Sequence, residues 1–176
     1  MILYGSSLSP YTRKVLAFAG EKSIEIELQP TGFPNFRAEF LAASPFRKMP
    51  ALSDGDYNLA DSSAIIHYME AKYPDPALIP RDPALRGKAA ELNDLPPILD
   101  YLETVVPEGD GYLVGESLTI ADIAVASPFA NFRYTRTRID PDRYPRIVAY
   151  TDRILARPSF AHWLEREATM LAKEPA

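Results

Sequence analysis

The chain has 176 residues, of which 47% are hydrophobic and 24% charged, so a proper core is available and disordered and fibrous classes are excluded. It holds no cysteine, which excludes a disulfide framework, a thiolate metal site and a cysteine nucleophile of its own, and leaves any thiol chemistry to a ligand. The net charge of −5, without a lysine/arginine run, speaks against a nucleic-acid backbone as partner, and the apolar stretches fall short of the about 20 residues of a membrane helix.

Along the first 73 residues the apolar pattern alternates between strand and helix periods. Ile2-Leu3-Tyr4 is a short strand run ended by Gly5, and Ser9-Pro10 reads as an N-cap followed by proline at the first helical position. Tyr11, Val15, Phe18 and Ala19 give that helix its stripe, and the alternation over Ile24–Leu28 predicts a half-buried strand. Pro30 to Pro34 is turn chemistry, and Phe36, Phe40 and Leu41 predict a short helix. Pro50-Ala51-Leu52 and Tyr57-Asn58-Leu59 flank Asp54-Gly55 as the strands of a hairpin. Asp61-Ser62 caps a helix carrying Ile65, Tyr68, Met69 and Tyr73 on one face, and Pro74 stops it. The predicted order is β-α-β-α-β-β-α.

Pro74 to Pro83 holds four prolines and little that could pack, so it is read as a linker, and every later pattern is helical. In Leu118–Ile123, Thr119 can cap a helix, Asp122 can reach back to it, and Leu118 can staple onto Ile123. Tyr144-Pro145 opens a helix with Ile147, Val148, Thr151, Ile154 and Leu155 buried, and Arg157-Pro158 opens a last one. Residues 1–74 therefore form an α/β domain, 75–83 a linker and 84–176 an all-helical domain. MILYGSSLSP lacks the pattern of a signal peptide, and the expectation is a soluble cytoplasmic protein.

The motifs add to this order. Ser9-Pro10-Tyr11-Thr12-Arg13-Lys14-Val15 is similar to the N-terminal active-site segment of the cytosolic glutathione transferase family. Pro45-Phe46-Arg47-Lys48-Met49-Pro50-Ala51-Leu52 resembles that family's cis-proline loop, and Leu59–Ile65 its clamp on the γ-glutamyl end of glutathione. Leu118 to Pro128 resembles the capping box that opens the family's sixth helix. The resemblance implies a thioredoxin-like α/β domain followed by a helical one, glutathione as co-substrate, and a small apolar electrophile as second substrate.

The chemistry implied is activation of a thiol. Free glutathione, with a cysteine-like pKa near ~8.5, is only a few per cent thiolate at pH 7. A hydroxyl donating to the sulfur at a helix N-terminus favours the anion. Ser-Pro alone reads as a helix cap; with the other motifs present, the serine-type resemblance places the catalytic hydroxyl at Ser9, with Ser7 and Tyr11 as fallbacks. It also implies a cis Met49–Pro50 bond that presents the Met49 backbone to the cysteinyl part of glutathione, as if adding a strand. Asp61 would pair with the γ-glutamyl ammonium and Ser62 with its carboxylate. Lys48 is the candidate for the glycyl carboxylate, with Asn35 and Arg37 further off. Tyr101, Tyr112, Phe129, Phe132, Tyr134 and Trp163 are available to line an electrophile pocket or to pack the core. Arg133, Arg136, Arg138, Arg143 and Arg146, interspersed with Asp140 and Asp142, read as a solvated ion-pair surface, and His67 and His162 as packing residues without a metal partner.

The resemblance covers nearly the whole chain except between Pro83 and Asp110, where family members place two long antiparallel helices. Here Leu95-Pro96-Pro97 interrupts the segment, predicting one helix that stops near Asp94 and another that begins at Pro96 or Pro97. The expected consequences are a monomer or weak homodimer and a more open electrophile side. Conjugation of glutathione to an electrophile, or peroxide reduction by it, is the first expectation, with zeta-like isomerisation a lesser variant. The alternative is a transferase-like binding or interaction module with little turnover.

Overall fold

A four-stranded sheet in the order β2-β1-β3-β4 carries the N-terminal half of the computed structural model, which describes residues 1–32, 36–94, 99–135 and 138–172. The strands are β1 (Ile2–Gly5), β2 (Glu27–Pro30), β3 (Ala51–Asp54) and β4 (Tyr57–Ala60). β1 and β2 are parallel, joined through α1 (Pro10–Glu21), and the other two pairings are antiparallel. Between them come α2 (Ala38–Ala43) and, after the sheet, α3 (Ser62–Lys72), which completes a thioredoxin-like β-α-β-α-β-β-α unit. The pleat divides the core. Leu3 and Leu52 pack with α1 and α3, while Tyr4 and Ala51 pack with Phe40 and Ala43 of α2 on the opposite face.

The helical half comprises α4 (Pro83–Asp94), α5 (Leu99–Val105), α6 (Ile120–Phe132), α7 (Pro145–Leu155) and α8 (Pro158–Leu171). α1 lies between the sheet layer and α6 and α8, which is why every residue from Thr12 to Ala19 is buried. Over Thr12–Ala19 the helix has no solvated stripe, so its buried charges, Arg13 and Lys14, need internal partners. Gly5 is where this packing is tightest: a Cβ there would lie 2.6 Å from Thr12 Oγ1, and glycine lets the first turn of α1 sit against the strand.

The expected start of α6 is observed. Thr119 Oγ1 accepts from the Ala121 N–H at 3.2 Å, and Asp122 Oδ2 accepts from the Thr119 N–H at 2.7 Å. Asp122 is fully buried because its other oxygen accepts from the Leu113 N–H at 2.9 Å and from the Tyr150 hydroxyl. Burial and the adjacent carboxylate push that phenol's pKa far up.

Five expectations change. β2 spans Glu27–Pro30 rather than Ile24–Leu28, because the Ile24 N–H is still held by the Ala19 carbonyl at 2.9 Å and pairing begins only where Glu27 meets Ile2. Tyr11 is 62% exposed in the first turn of α1, not part of its buried stripe, and Tyr73 follows α3 on the surface. Tyr150, rather than half-buried Val148, belongs to the core face of α7. The segment read as having little to pack buries Leu78 and Ile79, whose N–H groups donate to the Glu70 carboxylate at 3.4 and 3.2 Å. Glu70 in turn pairs with buried Lys22 at 2.9 Å.

α4 ends at Asp94 as expected, and the expected start of the next helix at Pro96 or Pro97 lies outside the described residues. Among the described residues, three of the surface arginines pair across elements: Arg133 with Asp152 at 3.4 Å, Arg143 with Asp100 at 3.0 Å, and Arg146 with Glu108 at 4.0 Å.

Candidate functional site

Strand direction brings the sequence-predicted residues to one end of the sheet. β1 ends at Gly5, which leads into the Ser6–Ser9 loop; antiparallel β3 begins at that same end, directly after Met49-Pro50. β4 ends there too, since Ala60 is the register partner of Ala51, and it leads into Asp61-Ser62. Ser9, Lys48, Met49, Pro50, Asp61 and Ser62 thus collect around one edge, where the 12-residue α1 and the 11-residue α3 both begin. Two helix N-termini direct their partial positive charge toward this edge.

Ser9 is the half-buried N-cap of α1, with its N–H donating to the Ser6 carbonyl at 2.9 Å and its hydroxyl oxygen 3.5 Å from the Thr12 N–H. In that contact the hydroxyl oxygen accepts, so its hydrogen is left to donate elsewhere. Ser7 is buried, whereas the Tyr11 ring stands open to solvent beside Ser9 in sequence.

Behind this loop lies a buried polar network. Arg13 Nε and Nη2 donate to the two oxygens of Glu167 in α8 at 3.1 and 2.8 Å, and both side chains are fully buried. Arg13 Nη1 donates to the Ser127 carbonyl and to Asn131 Oδ1, each at 2.8 Å, and Nη2 approaches the Leu8 carbonyl at 3.4 Å. Asn131 Nδ2 donates to the same Leu8 carbonyl at 3.3 Å, and the Ser127 hydroxyl donates to the Pro10 carbonyl at 2.6 Å. The Tyr134 hydroxyl also donates to Glu167, at 3.0 Å, and burial together with that carboxylate pushes its pKa up to about 12.

The other side of the edge is built locally. The Met49–Pro50 peptide is cis, Pro50 is buried and Met49 half-buried against the α2-side core. Ser44, fully buried, holds Lys48 through both backbone groups: its oxygen accepts from the Lys48 N–H at 3.1 Å and its hydroxyl donates to the Lys48 carbonyl at 2.7 Å. The Lys48 side chain is exposed, as is Phe46. Asp61 caps α3, accepting from the Ser63 and Ala64 N–H groups at 2.9 and 3.1 Å with φ at +82°. A non-glycine residue in that region is strained, and such strain collects at functional positions. Ser62 is buried at the first position of the helix.

The remaining candidates are dispersed. Arg37 is exposed and pairs with Glu39 at 3.6 Å, and Asn35 lies outside the described residues. Phe129 is buried edge-on to Phe132 at 5.5 Å, Tyr112 lies under Arg153, Trp163 under Arg166, and the Tyr134 hydroxyl is committed to Glu167.

The sequence motif contains Arg13 but points to no role for it, and Ser127, Asn131 and Glu167 stand outside every site motif of the sequence. A signal existed for one of them: Glu167 falls at helical spacing from Phe160 and Leu164, a charge on the buried face of α8.

The model of the glutathione S-transferase N-terminal domain matches residues 3–77, and that of the C-terminal domain of the same family matches residues 80–167. A probable maleylacetoacetate isomerase 1 of Drosophila melanogaster is 29% identical over 84% of this chain and 74% of its own length. A glutathione S-transferase of Triticum aestivum is 27% identical over 90% of each chain. Among solved structures, a glutathione S-transferase of Methylobacterium radiotolerans in complex with glutathione sulfonate superposes with a TM-score of 0.79 at 24% identity, over 93% of each chain. The two domain matches run through both halves of the molecule, and the chain belongs to the glutathione S-transferase family.

Proposed function

We propose that the protein is a glutathione transferase of serine type, in which residues 1–74 bind glutathione, 75–83 connect, and 84–176 hold the second substrate. The observation that carries this reading is the convergence of the Ser9 hydroxyl, the Met49 backbone and the Asp61–Ser62 cap at one end of the sheet, at the start of two helices. Met49 takes the cysteinyl backbone, Asp61 the γ-glutamyl ammonium, Ser62 its carboxylate and Lys48 the glycyl carboxylate. Ser9 donates its hydrogen bond to the sulfur and the N-terminus of α1 adds its partial positive charge, so the thiol proton leaves to water at lower pH. The sulfur lone pair then forms the new bond to an electrophilic carbon, and the leaving group departs with its bonding pair.

The second substrate is a small apolar electrophile, consistent with a detoxifying role, or a peroxide. The cytoplasm, where the thiol pool is kept reduced, is the proposed location. The Drosophila relative named as an isomerase favours a second reading, in which the thiolate adds to a cis double bond, rotation follows and the thiolate is expelled again as the double bond re-forms. The short α4 and α5 helices, 12 and 7 residues, are the ground for proposing a monomer or weak homodimer with an open electrophile side.

Calorimetry with millimolar glutathione, followed by a chromogenic-electrophile assay and a maleylacetoacetate assay on the same material, tests the reading, with light scattering over a dilution series recording the oligomer. Heat of binding and conjugation are expected. Binding without turnover on either substrate would leave a glutathione-binding module, and no heat at all would remove the assigned site.

A further inference from the structure

We infer that Ser127 and Asn131, one turn apart on α6, are positioning residues that set where the Ser9 hydroxyl points. This inference rests on the role proposed for Ser9. The three peptide carbonyls around that residue are each held. Asn131 Nδ2 takes the Leu8 carbonyl at 3.3 Å, the Arg13 N–H of the helix takes the Ser9 carbonyl at 2.9 Å, and the Ser127 hydroxyl takes the Pro10 carbonyl at 2.6 Å. Proline fixes the intervening φ by its ring. The backbone on both sides of Ser9 is therefore tied to a helix of the other half, and only the side-chain torsion remains to aim the hydroxyl.

The chemistry of the residue types fits the task. Asn131 must accept from Arg13 at 2.8 Å and donate to a carbonyl at the same time, which an amide does and neither a carboxylate nor an apolar side chain can. Arg13 spends all five of its N–H donors: three bonds on Nε and Nη2 to Glu167 and the Leu8 carbonyl, and two on Nη1 to Ser127 and Asn131. Its partners oblige the Asn131 amide to face one way. Among the described residues, the charged and titratable groups facing this loop and its edge are Arg13 from α1, Glu167 from α8, the Tyr134 phenol after α6, Tyr11 on the open side, and buried Lys14, whose Nζ reaches Ser63 Oγ at 3.4 Å; Arg13 and Glu167 offset each other. Catalytic groups have to be held within about 0.5 Å of their productive place, and a displacement of about 1 Å can cost roughly 10²-fold.

The test compares Asn131→Leu, the milder Ser127→Ala and Ser9→Ala with the unaltered protein. It measures the ultraviolet titration of the bound glutathione thiol, and kcat and KM at about pH 6.5 and about pH 9, the two sides of the free thiol's ~8.5. In both α6 variants the bound thiol pKa is expected to rise and kcat at the lower pH to fall about tenfold, recovering at the higher pH, with KM for glutathione within about twofold. A merely structural role would lower kcat equally at both pH values and leave the thiol titration where it was. That result in Ser127→Ala, the variant with the smaller structural change, overturns the inference. If Ser9→Ala raises the thiol pKa while neither α6 variant does, the inference alone falls; if Ser9→Ala leaves it unchanged, the role of Ser9 falls with it.

Discussion

Ser9 and Asp61 both cap a helix at the same end of the sheet, yet they are held by different parts of the chain. Behind Ser9 stand side chains from positions 127, 131 and 167, which belong to α6 and α8. Asp61 is fixed by the N–H groups of its own near neighbours, Ser63 and Ala64, and Lys48 by Ser44 four residues away. The side of the site proposed to hold the sulfur is thus a product of the contact between the two halves, while the side proposed to bind the peptide is a product of local sequence. On the proposed roles, such a division would let the helical half change the reactivity of the thiol without altering how the tripeptide is gripped.

The sharpest way to break this contrast is at Glu167. Replacing it with alanine leaves the Arg13 guanidinium fully buried without its counter-charge, a change that costs about 3–5 kcal/mol. For a chain of this length that corresponds to a fall of roughly 6–20 °C in Tm. A calorimetric melt checks it, and a change of a degree or two would mean that water or another group compensates the charge.

A smaller effect on stability is expected at the other side. Asp61→Ala removes a cap in an exposed turn, worth about 0.5–2 kcal/mol, so the melt should move by only a few degrees. Glutathione binding should weaken far more, by about tenfold or greater, because a charge-assisted contact worth roughly 1.5–3 kcal/mol goes with the carboxylate. Calorimetric titration separates the two, and an affinity within about twofold of the parent would take Asp61 out of the peptide-binding side.

The contrast also decides what could be read from the sequence. The α6 box is legible because Thr119 and Asp122 sit three residues apart and satisfy each other. Asp61 as a cap and the hairpin over Asp54-Gly55 are legible for the same reason: the partners are near neighbours. Strand alternation marks burial correctly at Ile24 and Ile26, both packed on the core, but where the ladder begins is settled by β1 and by the hold of α1 on Ile24. The Arg13–Glu167 pair spans 154 residues, and no local rule links the two. Tyr11 shows the complement: its helical spacing fits the stripe, and only the packing of the first turn reveals that it is left largely exposed.

The most direct measurement of the central claim is the pH titration of the bound glutathione thiol, followed by its ultraviolet absorbance, in the parent protein and in Ser9→Ala. A pKa well below the free thiol's ~8.5 is expected in the parent, with a return toward that value in the variant. A loss of about 10²-fold in conjugation near neutral pH should accompany it, equivalent to roughly 2.7 kcal/mol of transition-state stabilisation. Superimposable titrations in the two proteins would contradict the role assigned to Ser9 and move the thiolate contact to Ser7 or Tyr11.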